Sequence, residues 1–416
     1  TWARLERSFE ELLKGFWRPH LANAGVRYRG PNNCRHTYAS QMAEQMLNPG
    51  PLDESTRSGV FLSGIRRVGK TTFLRQDLIP ALEARSALVV YVDLWADRTK
   101  NPAVLVQEAV RHTLRQLQVP GSSLMKRVKG LNLGAAGLTF GFQLDTVGQP
   151  GGATLAQAFE ELVEKAKVNV VLIVDEVQQT LGTEEGFTLL HALKAARDAV
   201  NAKPGTPGRF LFMGTGSHKS LLTEMTSRRA QPFTGALSAS YQVLGKDFVQ
   251  WQLDRIAATP GVMLPQLEAA WQGFQAMGHR PEELLKALRQ LQQVAGTDAD
   301  TAFRIICATL ADAAADVELK AIEDFGDLGK ALFERIASGG EGGISGVFGA
   351  EALAFYAERT GGPVETSQVQ NIADKMVNAN LIFRPTHGIY MVADPFVRKL
   401  WHDKQGLPAI AAPRGP

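Results

Sequence analysis

The stretch Gly64-Ile65-Arg66-Arg67-Val68-Gly69-Lys70-Thr71 places two glycines, a lysine and a threonine in the spacing GxxxxGKT. The spacing has a chemical use. Without a Cβ at the two glycines, the backbone can fold closely around a phosphate. Successive N–H groups then turn inward, and a helix opening at the lysine aims its positive end at the same point. Lys70 would reach the β- and γ-phosphates, and Thr71 would place its hydroxyl on Mg²⁺. The expected phosphate-contacting set is Gly64, Arg67, Val68, Gly69, Lys70, Thr71 and Thr72. For Arg66 and Arg67 two uses stay open: solvated loop arginines, or groups facing phosphate or a neighbouring subunit.

A second constellation supplies acids. Val170-Val171-Leu172-Ile173-Val174 is a continuous apolar run that ends in Asp175-Glu176. Asp175 is expected to hold Mg²⁺, mostly through water, and Glu176 to act as the base that polarises the attacking water. A third element is Phe212-Met213-Gly214-Thr215-Gly216-Ser217. Thr215 or Ser217, just past an apolar strand, could sense the γ-phosphate. The alternative is an ordinary strand-to-helix turn with Ser217 as its N-cap. Gln178 is a weaker candidate for the same sensing role.

These groups need strand ends and helix starts to position them. GVFLS (59–63), SALVVYVDL (86–94), NVVLIVDE (169–176) and RFLFMGTGS (209–217) read as buried strands, with YQVLG (241–245) as a short fifth. Helical stretches lie between them. One is NPAVLVQEAVRHTLRQL, with Asn101 and Pro102 as cap and first position. GLNLGAAGLTFGFQLDTV (130–147) alternates and reads as a hairpin. Strands alternating with helices predict an α/β fold, a parallel sheet covered on both faces. From about 246 to 337 the pattern is all-helical. Residues 344–404 read as three helices and a pair of strands around RPTHG. The expected organisation is an N-terminal helical extension (1–50), a phosphate-binding α/β core (51–257), an all-helical region (258–325), a C-terminal domain (326–404) and a disordered tail (405–416).

Composition narrows the class. A net charge of +3 over 416 residues neither demands nor excludes a nucleic-acid partner. The two cysteines, Cys34 and Cys307, have no metal-ligand spacing, so a reducing cytoplasm is expected rather than a disulfide scaffold or zinc site. No apolar run reaches the ~20 residues a membrane span needs, and no membrane partner is expected. The amphipathic start TWARLERSFEELLKGF does not resemble a secretory signal, and the missing Met leaves room for a start upstream.

GIRRVGKT, VVLIVDEVQ, FLFMGTGSHKSLL and GIYMVADPFVRKLW together resemble the archaeal-type ATPases, a family of AAA+-like and STAND-like P-loop proteins. The resemblance covers roughly 51–404. It implies a P-loop NTPase core, a helical lid and a C-terminal winged helix. It also implies ATP as ligand, in line with the lack of an NKxD-type guanine motif. The chain departs from the family in one respect: Gly235-Ala236 stands where the family carries Gly-Arg before the fifth strand. Arg228 and Arg229 are the substitutes at hand for an arginine finger.

VRYRGPNNCRHTYASQM (26–42) resembles part of the active-site box of phage-type tyrosine recombinases, with Arg35 and His36 matching it. Nothing after it continues that pattern. Some thirty residues cannot build a recombinase domain, so the segment reads as an integrase-like remnant, or as a helical extension packed on the core. It makes a setting in mobile DNA or its defence plausible by association. For the winged helix, residues 320–416 hold ten Lys and Arg against eleven Asp and Glu, while phosphate contact needs clustered cations. DNA contact and intramolecular packing stand level. Two functions follow: a Mg²⁺-dependent ATPase that couples nucleotide state to domain rearrangement, or a slow-turnover STAND-like switch or homo-oligomeric scaffold acting through a protein partner.

Overall fold

The computed structural model describes residues 32–405, apart from 52, 98, 129–136, 229–230, 295 and 386–387. The first expected helix, the Gly30-Pro31 half of the GPNN turn, most of the RHTYAS lead-in and the tail after 405 lie outside the described residues.

Five strands form one parallel sheet in the order β2-β3-β4-β1-β5. They are β1 (Val60–Ser63), β2 (Leu88–Asp93), β3 (Val170–Asp175), β4 (Phe210–Gly216) and β5 (Leu237–Ser240). The central strands β1, β3 and β4 are buried along their whole length because both faces are covered. Successive residues of β3 go to opposite sides: Val170, Leu172 and Val174 join one core, Val171 and Ile173 the other. The first core is completed by α3 (Pro102–Gln118), α5 (Leu155–Ala166) and α6 (Glu184–Asn201), together with α7 (Lys219–Ser227). The second takes α1 (Asn32–Leu47) and the helix over 70–83, α2, whose middle turn Leu74–Leu78 is a π-turn. α1 contributes Ala39, Met42, Ala43, Met46 and Leu47, and so packs on the core as a helical extension. A short α4 (Ser123–Arg127) follows α3. Asn101 caps α3 through a bond from the Ala103 N–H, with Pro102 at the first position, as expected.

Two expectations need correction. The fifth strand is Leu237–Ser240 and not 241–245; it pairs with β1 from Val60↔Leu237 to Ser63↔Ser240. Its sequence, Leu-Ser-Ala-Ser, lies on the sheet edge and is only half buried, so it carries no apolar signature. The hairpin expected over 130–147 is absent from the described part, 137–147, which holds only a 3-10 turn at Leu144–Thr146. The glycine-rich alternation instead drops Leu138, Leu144 and Val147 into the core beside α3; Leu138 N–H donates to Leu117 O at 2.9 Å.

Beyond the sheet the chain is helical: α8 (Lys246–Ala257), α9 (Leu267–Ala276), α10 (Pro281–Leu291) and α11 (Ala299–Glu323). The first half of α11 packs with α8, α9 and α10 through Phe303, Cys307 and Leu310. Its second half, from Ala315, joins a separate core. That core holds α12 (Gly326–Ser338), α13 (Ala350–Thr360), α14 (Thr366–Asn378) and α15 (Pro395–Gln405). An antiparallel sheet, β6-β8-β7, completes it, from Ile344–Ser345, Ile382–Phe383 and Ile389–Val392. A single 25-residue helix, roughly 37 Å long at 1.5 Å per residue, therefore belongs to both helical cores.

Candidate functional site

In open parallel sheets, ligands bind past the carboxyl ends of the strands, where the strand order reverses. Here the chain leaves β1, crosses to the far edge at β2 and returns through β3 and β4 to lie beside β1. The register brings the ends of these strands level: Leu62↔Thr215 and Ser63↔Gly216 across β1 and β4, and Asp93↔Asp175 across β2 and β3.

The glycine loop spans β1 to α2. Gly64 N–H donates to Gly216 O at 3.1 Å, which anchors the loop to β4. A Cβ on Gly64 would lie 2.8 Å from Tyr241 Cβ and 3.1 Å from Lys70 Cδ, so the cradle has no room for a side chain there. Gly69 is the N-cap of the first helical turn, Lys70–Phe73, at φ 95° and ψ 19°, a left-handed conformation that suits glycine. The opening amides of a helix have no intrahelical acceptors, so they are available to an anion. Lys70 is 6% exposed, and its Nζ donates to Gly64 O at 2.6 Å and Ile65 O at 3.0 Å. Burial lowers its pKa, while Glu176 and Asp175 oppose the shift and Arg66 adds to it.

Asp175 ends β3 and is 1% exposed. Its Oδ2 accepts from Thr71 Oγ1 at 2.7 Å and from Tyr91 OH at 3.1 Å. Its Oδ1 accepts from Thr215 Oγ1 and, at 3.2 Å, from the Glu176 N–H. Such a set of donors makes a buried carboxylate tolerable. Thr71 and Asp175 offer hard oxygen ligands on adjoining elements, the chemistry Mg²⁺ prefers.

Glu176 follows in the left-handed region at φ 58° and ψ 42°, an uncommon conformation for a non-glycine residue and one found often at functional sites. Its Oε2 accepts from Ser217 Oγ at 3.0 Å, from Ser217 N–H at 3.4 Å and from Gln178 Nε2. Thr215 and Ser217 therefore divide the two acids: Thr215 bonds Asp175 and Ser217 bonds Glu176. Ser217 is not the N-cap of α7. That position is His218, which makes no side-chain capping bond.

The two loop arginines separate. Arg67 has φ 66°, and its guanidinium reaches Glu318 on α11 at 4.0 Å. The expected phosphate contact of Arg67 therefore competes with an exposed pairing on α11. Arg66 is the one that faces the acids, donating from Nε to Ser217 Oγ at 3.3 Å with its guanidinium 4.8 Å over the Trp95 ring. The Val68 side chain is fully buried in the core beneath α2, so only its backbone could meet a ligand, while Thr72 is exposed. Arg228 is exposed and paired with Glu224 on its own helix at 2.7 Å; Arg229 lies outside the described residues.

Sequence reasoning missed Tyr91, Arg280 and Asn380. Tyr91 is the one hydroxyl within the aliphatic run of β2, two residues before Asp93, and that was a usable signal. Its hydroxyl pKa is raised, first by burial and then by Asp175. Arg280 precedes Pro281, whose Cγ is 3.9 Å from where a Gly69 Cβ would lie. This brings the start of α10 over the glycine loop. Asn380 Nδ2 donates to Ser217 O at 3.3 Å from the far end of the chain. No local pattern announces that contact.

Residues 53–222 match the family model of an AAA domain. No curated protein matches the chain. Among solved structures, the ORC2 protein of Aeropyrum pernix in its ADP form is 13% identical, with a TM-score of 0.53, over 91% of this chain and 94% of that one. The same protein as ADPNP–ADP complexes is 14% identical, with a TM-score of 0.43, over 89% of this chain and 95% of that one. The fold is that of the AAA+ P-loop ATPases, a parallel α/β core followed by helical regions. No helix among the described residues is long and apolar enough to cross a membrane.

Proposed function

We propose that the protein binds ATP with Mg²⁺ and hydrolyses it at the carboxyl end of the parallel sheet. The observation that carries this reading is the division of labour around two adjacent acids. Thr71 and Asp175, joined at 2.7 Å, form the oxygen pair that would hold Mg²⁺. The metal, when bound, neutralises phosphate charge. Gly64, Gly69, the opening amides of α2 and Lys70 bind the phosphates. Glu176, held through one carboxylate oxygen by Ser217 and Gln178, accepts the proton of the attacking water. Thr215 fixes Asp175, and Arg66 stands beside Ser217 and the acids as a further cation. ATP rather than GTP rests on the family resemblance.

In this reading α8 to α11 serve as the lid. The start of α10 lies over the glycine loop and α11 runs on into the C-terminal core, so a change at the phosphates has a rigid path to α12–α15. The unit of α12, α13 and α14 with β6-β8-β7 is proposed as a winged helix. Its α14 exposes Gln368, Gln370 and Asn371, which could read base edges. Against DNA, Arg384 beside it is taken up by Asp374, which favours a protein or intramolecular partner for that face. The same observation supports the second reading, a slow-turnover switch working through a protein partner or a second copy of the chain.

Steady-state phosphate release from ATP and Mg²⁺ tests the proposal, comparing wild type with Glu176→Gln. Turnover that the substitution abolishes while nucleotide still binds is the expected result. Tight binding without wild-type turnover would shift the weight to the switch.

A further inference from the structure

Glu176 is held by a group that is itself held from 163 residues away. Asn380 lies just past α14 and donates from Nδ2 to the backbone oxygen of Ser217 at 3.3 Å. Ser217 in turn presents both its Oγ and its N–H to Glu176 Oε2. The flanking residues make the same junction. His218 is 5% exposed, with the backbone of Val377 and Asn378 against its ring, and Lys219 Nζ lies 5.1 Å over the Phe383 ring. The turn 217–219, on which the carboxylate depends, is thus clamped by the end of α14 and by Phe383 of β7.

Asn380 has one ordinary reason to be where it is. It adopts φ 58°, and asparagine tolerates the left-handed position that ends a helix. The adjoining bonds complete that cap: Asn380 N–H to Val377 O at 3.0 Å and Leu381 N–H to Met376 O at 3.0 Å. A glycine would serve the cap as well or better. The cap does not account for the side chain, whose Nδ2 is spent on Ser217 and whose Oδ1 is buried without a hydrogen-bond partner among the described residues. Leaving a buried polar atom unpaired costs about 1–3 kcal/mol, so the residue keeps its amide here against its own solvation.

We propose that Asn380 is a positioning residue for Glu176, acting through Ser217, so that the C-terminal unit completes the hydrolytic site when it is seated. The inference rests on the hydrolase reading above. All the donors that reach the Glu176 carboxylate converge on Oε2, and among the described residues none bonds Oε1. The carboxylate is therefore aimed by one oxygen, with the other left for water. Loss of the Asn380 amide frees the Ser217 carbonyl, and the turn drifts from Oε2.

Asn380→Gly is the cleanest test, because it keeps the left-handed cap and removes only the amide. Asn380→Asp keeps the shape and sets an acceptor against the Ser217 carbonyl. Both are expected to lower kcat, Asn380→Gly by about three- to tenfold, the equivalent of one neutral hydrogen bond. KM for ATP, affinity for a fluorescent nucleotide and the unfolding midpoint should not move. In a Ser217→Ala background the effect of Asn380→Gly should shrink, since the two act on one oxygen. Unchanged kcat in both variants, or a rise in kcat, overturns the proposal; so does a fall accompanied by equal changes in KM and thermal midpoint. Absent wild-type turnover removes the hydrolase reading and this proposal with it, and turnover that Glu176→Gln leaves intact removes Glu176 as the base. Turnover that Glu176→Gln abolishes but Asn380→Gly leaves alone removes only this one.

Discussion

Arg280 and Asp394 meet at 3.4 Å although 114 residues separate them. The arginine is 2% exposed, bonds Glu318 at 3.1 Å as well and carries its guanidinium 4.4 Å over the Phe396 ring. A Cβ at Gly278 would lie 2.6 Å from Phe396 Cγ, so the Gly278 backbone is pressed against the Phe396 side chain at this point. One cation thereby ties the start of α10, the second half of α11 and the start of α15. Burial is the main reason the Asp394 carboxyl sits above the usual carboxylate range; the Phe396 N–H and Arg280 pull the other way.

Arg280→Met is therefore expected to destabilise the chain by about 1–3 kcal/mol. That is less than a fully buried pair would lose, because the side chains of Glu318 and Asp394 keep 31% and 18% of their exposure and can be rehydrated. Denaturant unfolding measures it. An unchanged midpoint would show that the cluster does not hold the C-terminal unit in place. A double variant with Asp394→Asn should lose less than the sum, as the two residues share one contact.

Gly216→Ala isolates the other side-chain donor to Glu176. A Cβ there would stand 1.9 Å from Gln178 Oε1. The obstacle is the free end of a side chain, so the amide swings away, the strand survives and Glu176 loses Gln178 Nε2. Phosphate release should fall about three- to tenfold, and Gln178→Ala should fall by a similar factor. Combining them should cost little more than either alone. Full additivity would mean that the glycine matters for some other reason.

The sequence carried the parts of this site that depend on local chemistry. The convergence of Lys70, Thr71, Asp175 and Glu176 was legible because a glycine-lysine loop and a strand-end acid pair each fit within eight residues. β3 was legible because burial on both faces demands an unbroken apolar run. β5 was not: an edge strand of Leu-Ser-Ala-Ser is held by its hydrogen bonds to β1 rather than by hydrophobic burial. The different directions of the Arg66 and Arg67 side chains, one toward Ser217 and one toward Glu318, depend on the folded loop and not on the motif's spacing. Asn380 and Arg280 act through contacts of 163 and 114 residues' separation, which no window along the chain contains.

His218 gives the junction between core and C-terminal unit a dependence on pH. Burial lowers its pKa below the ordinary 6.5, and Arg66 adds to the effect, while the backbone of Val377 and Asn378 partly offsets it. In the unfolded chain the imidazole binds its proton near 6.5; in the folded chain it does so only at lower pH. Between those values the unfolded state holds more protons, so stability rises with pH. The contribution is full above 6.5 and is lost as pH falls through the folded value. Thermal midpoints from pH 8 to 5 should drop more steeply for wild type than for His218→Phe. Parallel curves for the two would contradict a neutral buried ring at this position.

Lys70→Met separates binding from folding. The side chain is 6% exposed and its ammonium is desolvated, with the loop oxygens of Gly64 and Ile65 as its bonded partners. Methionine fills much of the same volume without a charge to bury, so the fold should keep its stability to within about 1 kcal/mol. The loop loses the one cation sealed inside it among the described residues. A charge-assisted contact of this kind contributes about 1.5–3 kcal/mol, which corresponds to a ten- to hundredfold weaker affinity for ATP. Titration of a fluorescent ATP analogue at fixed Mg²⁺ reads the loss directly. Retained affinity with abolished turnover would place Lys70 on the transition state alone, and unaltered affinity together with unaltered turnover would remove the loop from the site.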